Sequence, residues 1–156
     1  MIQVDVSGWG SLGLAYLVLD LNGTVTLDGE VIPGVAERLS ALSASVSILL
    51  ATADTHGRAG EIGERLGVDL FYVEPGCEAA QKQALVERLG AGRVAAVGNG
   101  ANDAGMLATA ALGIAVLGPE GLASKALQSA DVVAGRIEDA LDLLLRPRRL
   151  MATLRR

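Results

Sequence analysis

The chain has 156 residues, about half of them apolar but only 3% aromatic, and a formal net charge of −5. That length suits one domain able to bury about two-thirds of its unfolded surface, with a core built from Ala, Val, Leu and Ile. The acidic balance argues against nucleic acid as a partner, and the single cysteine, Cys77, excludes an internal disulfide or a cysteine-rich metal site; no signal peptide or membrane-spanning apolar run is visible, so a cytoplasmic protein without a membrane partner is expected.

Residues 2–6 alternate apolar and polar and predict a half-exposed strand. Residues 7–13 form a glycine-rich turn with Trp9 as a packing anchor. Residues 14–21 are the first core strand, and 2–6 are its candidate antiparallel partner. Asp28-Gly29, between short β-prone arms, marks a hairpin. Pro33 opens a helix to about Leu42, with Val35, Leu39 and Leu42 on one face. Residues 46–51 are a continuous apolar strand, as in a sheet covered on both faces. A turn at 52–55 leads into a helix that Gly67 stops.

A strand at 68–73 and a break at Pro75-Gly76 follow. The helix at 78–89 is expected to turn Ala80, Ala84, Leu85 and Leu89 inward. Next come a strand at 93–97, a turn at Gly98-Asn99-Gly100 and a helix at 102–109. The remainder reads as strand 112–116, helix 122–128, strand 131–133 and helix 137–145, with Pro147 ending that helix or starting a last one. Such alternation predicts a three-layer, doubly wound, mostly parallel sheet. Nothing divides residues 1–156 into more than one domain.

In a parallel sheet every strand delivers its carboxyl end to the same edge. Asp20 and Asn22 follow the first core strand, and Thr52 and Asp54 the second. Lys82 lies early in the helix after Pro75-Gly76, and Asn99, Asn102 and Asp103 follow the strand ending at Val97. Taken singly, Thr52 reads as a helix N-cap, Lys82 as a solvated helix residue and Gly98-Asn99-Gly100 as a turn. His56 reads as a surface residue, Cys77 as a small packing residue and the arginines at 146, 148, 149, 155 and 156 as a solvated helix end. Convergence on one edge separates the site candidates from these readings.

Together they suit phosphoryl chemistry. Asp20 can attack a phosphoryl group and carry it as an aspartyl-phosphate. Asp20 and Asp103 with neutral oxygens make a hard-oxygen site suited to Mg²⁺. Thr52 can donate its hydroxyl to phosphoryl oxygens, and Lys82 supplies a point charge. The glycine-rich turns present N–H groups to an anion.

The order Asp20-Leu21-Asn22-Gly23-Thr24, Thr52, Lys82, Gly98-Asn99-Gly100-Ala101-Asn102-Asp103 resembles the four motifs of the haloacid dehalogenase-like superfamily. More narrowly, it resembles the phosphorylation domain of P-type ATPases and the small soluble proteins built like it. The likeness runs through nearly all of the chain from Leu14 onward. It implies a Rossmann-like fold and a Mg²⁺-dependent phosphohydrolase. Asp20 would be nucleophile and metal ligand, and Asn22 would ligate through its main-chain carbonyl. Asn99 and Asp103 would complete the metal surroundings. Gly23, Thr24, Thr52, Ala53 and Lys82 would bind phosphate, with Asn102 ordering its loop.

Two departures from that pattern matter. Phosphatases of this superfamily carry an aspartate at the position of Asn22, where it acts as general acid and base. The amide removes a contribution of typically ~10²–10⁴-fold. An aspartate is also usual at the position of Asn99, so the metal site loses a negative charge. The expected enzyme is therefore slow. The alternative is a catalytically impaired module that binds phosphate or a partner. Between Thr24 and Thr52 the sequence has room only for a hairpin flap and one helix, so no inserted cap is expected. The phosphorylated substrate of such an open site would be a macromolecule, or a second copy of the chain would cover the site in a homo-oligomer.

Overall fold

The chain opens with an antiparallel hairpin of β1 (Ile2–Val6) and β2 (Gly10–Leu14), a two-stranded sheet of its own. This is seen in the computed structural model, which describes residues 1–156. The pairing corrects the one expected from sequence. Both arms alternate, so Ile2, Val4 and Val6 can bury one face together with Leu12 and Leu14. β3 (Tyr16–Asp20), almost wholly buried, pairs only with parallel neighbours. The turn shrinks to residues 7–9, and Trp9 packs half-buried against the core.

Beyond β3, β4 (Thr26–Leu27) and β5 (Glu30–Val31) form a small flap. It turns at Asp28 and Gly29, with φ of 51° and 81°, as a tight two-residue turn demands. α1 (Val35–Ser43) buries Val35, Leu39 and Leu42, as its spacing requires. There follow β6 (Ser47–Thr52), α2 (Ala59–Leu66), β7 (Asp69–Tyr72) and α3 (Glu78–Leu89). Then come β8 (Val94–Gly98), α4 (Ala104–Thr109), β9 (Leu112–Val116) and α5 (Ser124–Ser129). β10 (Val132–Ala134), α6 (Ile137–Leu145) and α7 (Pro147–Leu154) end the chain. The helix expected over 102–109 begins as a single 3-10 turn, Ala101–Asp103.

Six strands form one sheet in the order β10-β9-β8-β3-β6-β7, parallel throughout. The chain winds from β3 out to β6 and β7, then returns to β8, β9 and β10 on the other side. The strand order therefore reverses between β3 and β8, the place where open α/β sheets bind ligands at their carboxyl ends. One sheet face packs Leu17, Leu19, Leu50, Val97 and Ile114 against α1, α2, α6 and α7. The other packs Val18, Ala51, Ala96 and Ala115 against α3, α4 and α5. Side chains alternate along a strand, so Leu17 and Leu19 go to the first face, while Val18 and Asp20 turn toward α3.

α3 has the expected limits but a different inward face. Ala80 and Ala84 are exposed, whereas Lys82, Leu85 and Val86 are buried. Apolar spacing could not select a lysine for the interior, and the carboxylates described below supply the reason. Cys77 is exposed rather than packed, since it lies just ahead of α3 on the open sheet edge. His56 and the five C-terminal arginines are also exposed. Only the flap and α1 separate Asp20 and its turn from β6, and only α2 and β7 lie between β6 and α3, so no cap domain is inserted. No helix is long and apolar enough to cross a membrane.

Candidate active site

Asp20 is the last residue of β3, at the point of strand-order reversal. It is 8% exposed. Lys82 reaches it from the first turns of α3 and donates from Nζ to Asp20 Oδ1 at 2.6 Å and to Asp103 Oδ1 at 2.8 Å. Lys82 and Asp103 are 1% and 0% exposed. Two buried carboxylates thus share one ammonium. Burial raises the Asp20 carboxyl to about 7; the Asp103 charge adds to this, and the Lys82 charge opposes it. Burial alone would lower the Lys82 ammonium, but Asp20 and Asp103 outweigh it and hold it above its ordinary value.

Asp103 stands behind Lys82 and also builds the loop after β8. Its Oδ2 accepts from the main-chain N–H of Asn99 at 3.0 Å and of Gly100 at 2.9 Å. Gly98 makes room for it: a Cβ there would lie 2.5 Å from the Asp103 carboxyl carbon. Both Asp103 oxygens are therefore engaged within the protein.

Thr24, on the turn after β3, joins the strand ends. Its hydroxyl lies 3.2 Å from Asp20 Oδ2 and 3.1 Å from Asn99 Oδ1. One proton cannot serve two acceptors at once, so one of those oxygens always lacks it. Asn22 donates its amide to Thr55 Oγ1 at 3.0 Å. Thr52, at the end of β6, accepts the Asp54 N–H at 2.9 Å, which leaves its own hydroxyl proton to donate. Asp54 is in the left-handed region, φ 53°, and its Oδ1 receives the first N–H of α2, from Ala59, at 2.8 Å.

A cleft of about 250 Å³ opens over these groups. It is lined by Asp20, Asn22, Thr52, Ala53, Thr55, Glu78, Lys82, Asn99, Gly100, Asn102 and Glu120. Seven of the site candidates line it directly: Asp20, Asn22, Thr52, Ala53, Lys82, Asn99 and Asn102. Asp103 and Thr24 support it from behind, and Gly23 sits beneath Glu120. Sequence reasoning missed Thr55, Glu78 and Glu120. The rule that singled out the ends of β3, β6 and β8 applies equally to the end of β9, where Glu120 follows. A larger cavity of about 490 Å³ lies behind the flap, between it and the segments at 116–119 and 135–138. It shares the turn at Gly23 and Thr24 and the end of β9 with the active edge, but Asp20 does not line it.

The model of one protein family, the haloacid dehalogenase-like hydrolases, matches residues 1–111. The chain belongs to this family. Among curated relatives it is 52% identical over 63 residues to the protein MJ0073 of Methanocaldococcus jannaschii, covering 40% of this chain and 68% of that one. It is 33% identical over 118 residues to the cadmium/zinc-transporting ATPase HMA2 of Arabidopsis thaliana, covering 74% of this chain but 12% of the transporter. The fold matches the 3-deoxy-D-manno-octulosonate 8-phosphate phosphatase of Moraxella catarrhalis, crystallised with magnesium, phosphate and KDO. There the TM-score is 0.67 at 17% identity, over 91% of this chain and 94% of that one.

Within this hydrolase family the site's charge balance is informative. Asp20, Glu78, Glu120 and the supporting Asp103 face a single cation, Lys82. The oxygens that Asp20, Asn22 and Asn99 bring to the cleft are hard donors, as a divalent cation such as Mg²⁺ prefers, and Asp20 Oδ2 and Asn99 Oδ1 share a single hydroxyl proton, that of Thr24. The residues present thus fit a hard cation, although no group of three or more His, Cys, Asp or Glu side chains is gathered for one in advance.

Proposed function

We propose that the chain is a Mg²⁺-dependent phosphohydrolase that works slowly through an aspartyl-phosphate on Asp20. The observation that carries this reading is Lys82, clamped between Asp20 and Asp103 at the point of strand-order reversal. It orients one carboxylate toward a cleft lined by donors and favours its ionised form. An Asp20 oxygen attacks phosphorus, and the bond from phosphorus to the leaving oxygen breaks. That oxygen takes its proton from water, because Asn22 has none to give. Water then attacks the acyl phosphate, the bond to Asp20 breaks, and inorganic phosphate departs with Asp20 restored.

Thr52, Ala53 and Lys82 bind phosphoryl oxygens through the hydroxyl, main-chain N–H and ammonium. Gly23, Thr24 and Asn102 shape the turns around them. Asp20, the Asn22 carbonyl and Asn99 would hold Mg²⁺, with Asp103 acting from behind Lys82. The cation, when bound, supplies the positive charge that lets a phosphate approach an acidic cleft. Without a cap the cleft admits a phosphorylated macromolecule, or closes against a second copy of the chain.

A second reading, a phosphate- or partner-binding module without turnover, rests on the two amides. Asn22 and Asn99 cannot titrate, and both are tied to neighbouring loops, at Thr55 and Gly121. Hydrolysis of para-nitrophenyl phosphate with and without Mg²⁺ separates the two. The hydrolase reading requires Mg²⁺-dependent release that Asp20→Asn abolishes and Asn22→Asp raises. Binding of a phosphate analogue with no turnover in the wild type or in Asn22→Asp establishes the module instead.

A further inference from the structure

We propose that Glu120 is a ligand-set residue of the metal site, returning the carboxylate that Asn99 lacks, and that the Asn99 amide positions it. This rests on the metal-dependent reading above. Glu120 lies in the turn Gly118-Pro119-Glu120-Gly121, closed by the Gly121 N–H donating to Gly118 O at 2.9 Å, directly after β9. Its carboxylate lines the same cleft as Asp20, Asn22 and Asn99. It folds down onto the turn after β3: a Cβ at Gly23 would collide with Glu120 Oε2 and come within 3.1 Å of Asn99 Nδ2. Glu120 belongs to none of the ion pairs of the protein. An exposed carboxylate at the mouth of the cleft, over Gly23 and with no cation of its own, is a donor a hard divalent ion would recruit.

Asn99 accounts for why the charge stands at 120 rather than 99. Its Nδ2 donates to the Gly121 carbonyl at 3.2 Å, and its main-chain carbonyl accepts the Ala123 N–H at 2.9 Å. These two bonds fix the turn that presents Glu120. An aspartate at 99 would set a carboxylate against the Gly121 carbonyl oxygen and release the turn. The amide therefore fits a relocated charge: one side chain gives up its own carboxylate and holds another residue's in place.

The test is Mn²⁺ binding, followed by the electron paramagnetic resonance of free Mn²⁺ with no substrate present. Wild type, Glu120→Gln, Glu74→Gln and Asn99→Asp/Glu120→Gln are compared. Glu74 is exposed near the same sheet edge but outside the cleft, so it reports the general effect of one lost charge. Glu120→Gln is expected to weaken Mn²⁺ by about tenfold or more, Glu74→Gln by less than about twofold. The double variant should regain affinity over Glu120→Gln, because the carboxylate returns at 99. An unchanged dissociation constant in Glu120→Gln overturns the proposal, as does an equal loss in Glu74→Gln. A wild-type chain that binds no Mn²⁺ overturns the metal-dependent reading itself. Wild-type binding that Glu120→Gln leaves intact overturns only the role of Glu120.

Discussion

Two charged clusters tie together segments far apart in the sequence, and they are built in opposite ways. At the active edge, Lys82 serves Asp20 and Asp103 in a buried, negatively unbalanced group. On the other side of the sheet, Arg38 of α1 meets Asp142 of α6 at 2.8 Å, with side chains 30% and 16% exposed and Arg149 3.9 Å away. There the acid lies below its usual range, chiefly through its hydrogen bond to Arg38; in the first cluster burial pushes Asp20 the other way. Satisfied charges at a half-exposed interface hold helices together. A buried carboxylate that its one ammonium cannot balance is maintained against its own solvation, as active sites arrange.

The comparison breaks most visibly at Asp20. Asp20→Asn should lower Mg²⁺-dependent phosphatase activity by on the order of 10⁴-fold or more, as loss of a nucleophile does. The fold should survive, because Lys82 keeps Asp103 as partner. Activity close to wild type with Asp20→Asn would remove the aspartyl-phosphate from the mechanism.

Lys82→Met is the next largest. It leaves two buried carboxylates without a cation, and breaking a buried pair in this way costs about 3–5 kcal/mol. Urea unfolding at neutral pH measures it, and a loss below about 1 kcal/mol would place Lys82 on the same footing as Arg38.

Asn22→Asp sharpens the contrast from the side of chemistry. It restores a titratable group at the cleft, and a gain of about 10–100-fold in turnover is expected, part of the usual general acid-base contribution. Steady-state kinetics on an aryl phosphate reads it directly.

Much of the cluster that these changes probe was legible in the sequence, and the reasons are physical. An apolar run ending in Asp20, another ending at Thr52 and a third ending at Gly98-Asn99 define parallel strands, and parallel strands share a carboxyl edge. Helix limits at Gly67 and Leu145 followed from spacing and stop signals, whereas the helix expected to open at Pro33 begins at Val35, after a turn at Pro33 and Gly34. The burial of Lys82 was not legible from α3 alone, because helical spacing sorts by polarity and assigns a lysine to solvent. Nor was the early hairpin, since Leu14 can end one strand or begin the next. Pairing was decided by which partner offered an alternating face. Glu120 carried no periodic signal at all, and only its place after β9 could have marked it.

The Asp20 carboxyl also gives the metal-free protein a pH signature that the Arg38 cluster lacks. Its folded value, about 7, lies above that of the unfolded chain, so the folded state keeps a proton that the unfolded state has released. Stability from this group is present below about pH 4 and is lost as pH rises through about 7. Each tenfold difference in proton affinity is worth about 1.4 kcal/mol, so the slope amounts to a few kcal/mol at most. Thermal melts from pH 4 to 8 should show it in wild type and lose it in Asp20→Asn; the same slope in both would assign it elsewhere.

The smallest effect is expected at Arg38. Arg38→Met removes the hydrogen bond to Asp142 Oδ1 and the donation to the Gly34 carbonyl at 2.8 Å, but Asp142 stays partly hydrated and close to Arg149. An ion pair this open contributes about 0.2–1 kcal/mol, several times less than Lys82. Its pH dependence runs opposite to that of Asp20. The folded value of Asp142 lies below its unfolded one, so the contribution is present above the ordinary carboxylate range and is lost as pH falls through the depressed value. Salt should erode it as well, because exposed charges are screened over about 10 Å at 0.1 M ionic strength. Melts of wild type and Arg38→Met should therefore differ at pH 7 and low salt, and converge both at pH 2–3 and in 1 M NaCl. A difference that persists unchanged in 1 M NaCl would mean that Arg38 acts through packing of its stem between α1 and α6, and the clip between those helices would then be apolar rather than ionic.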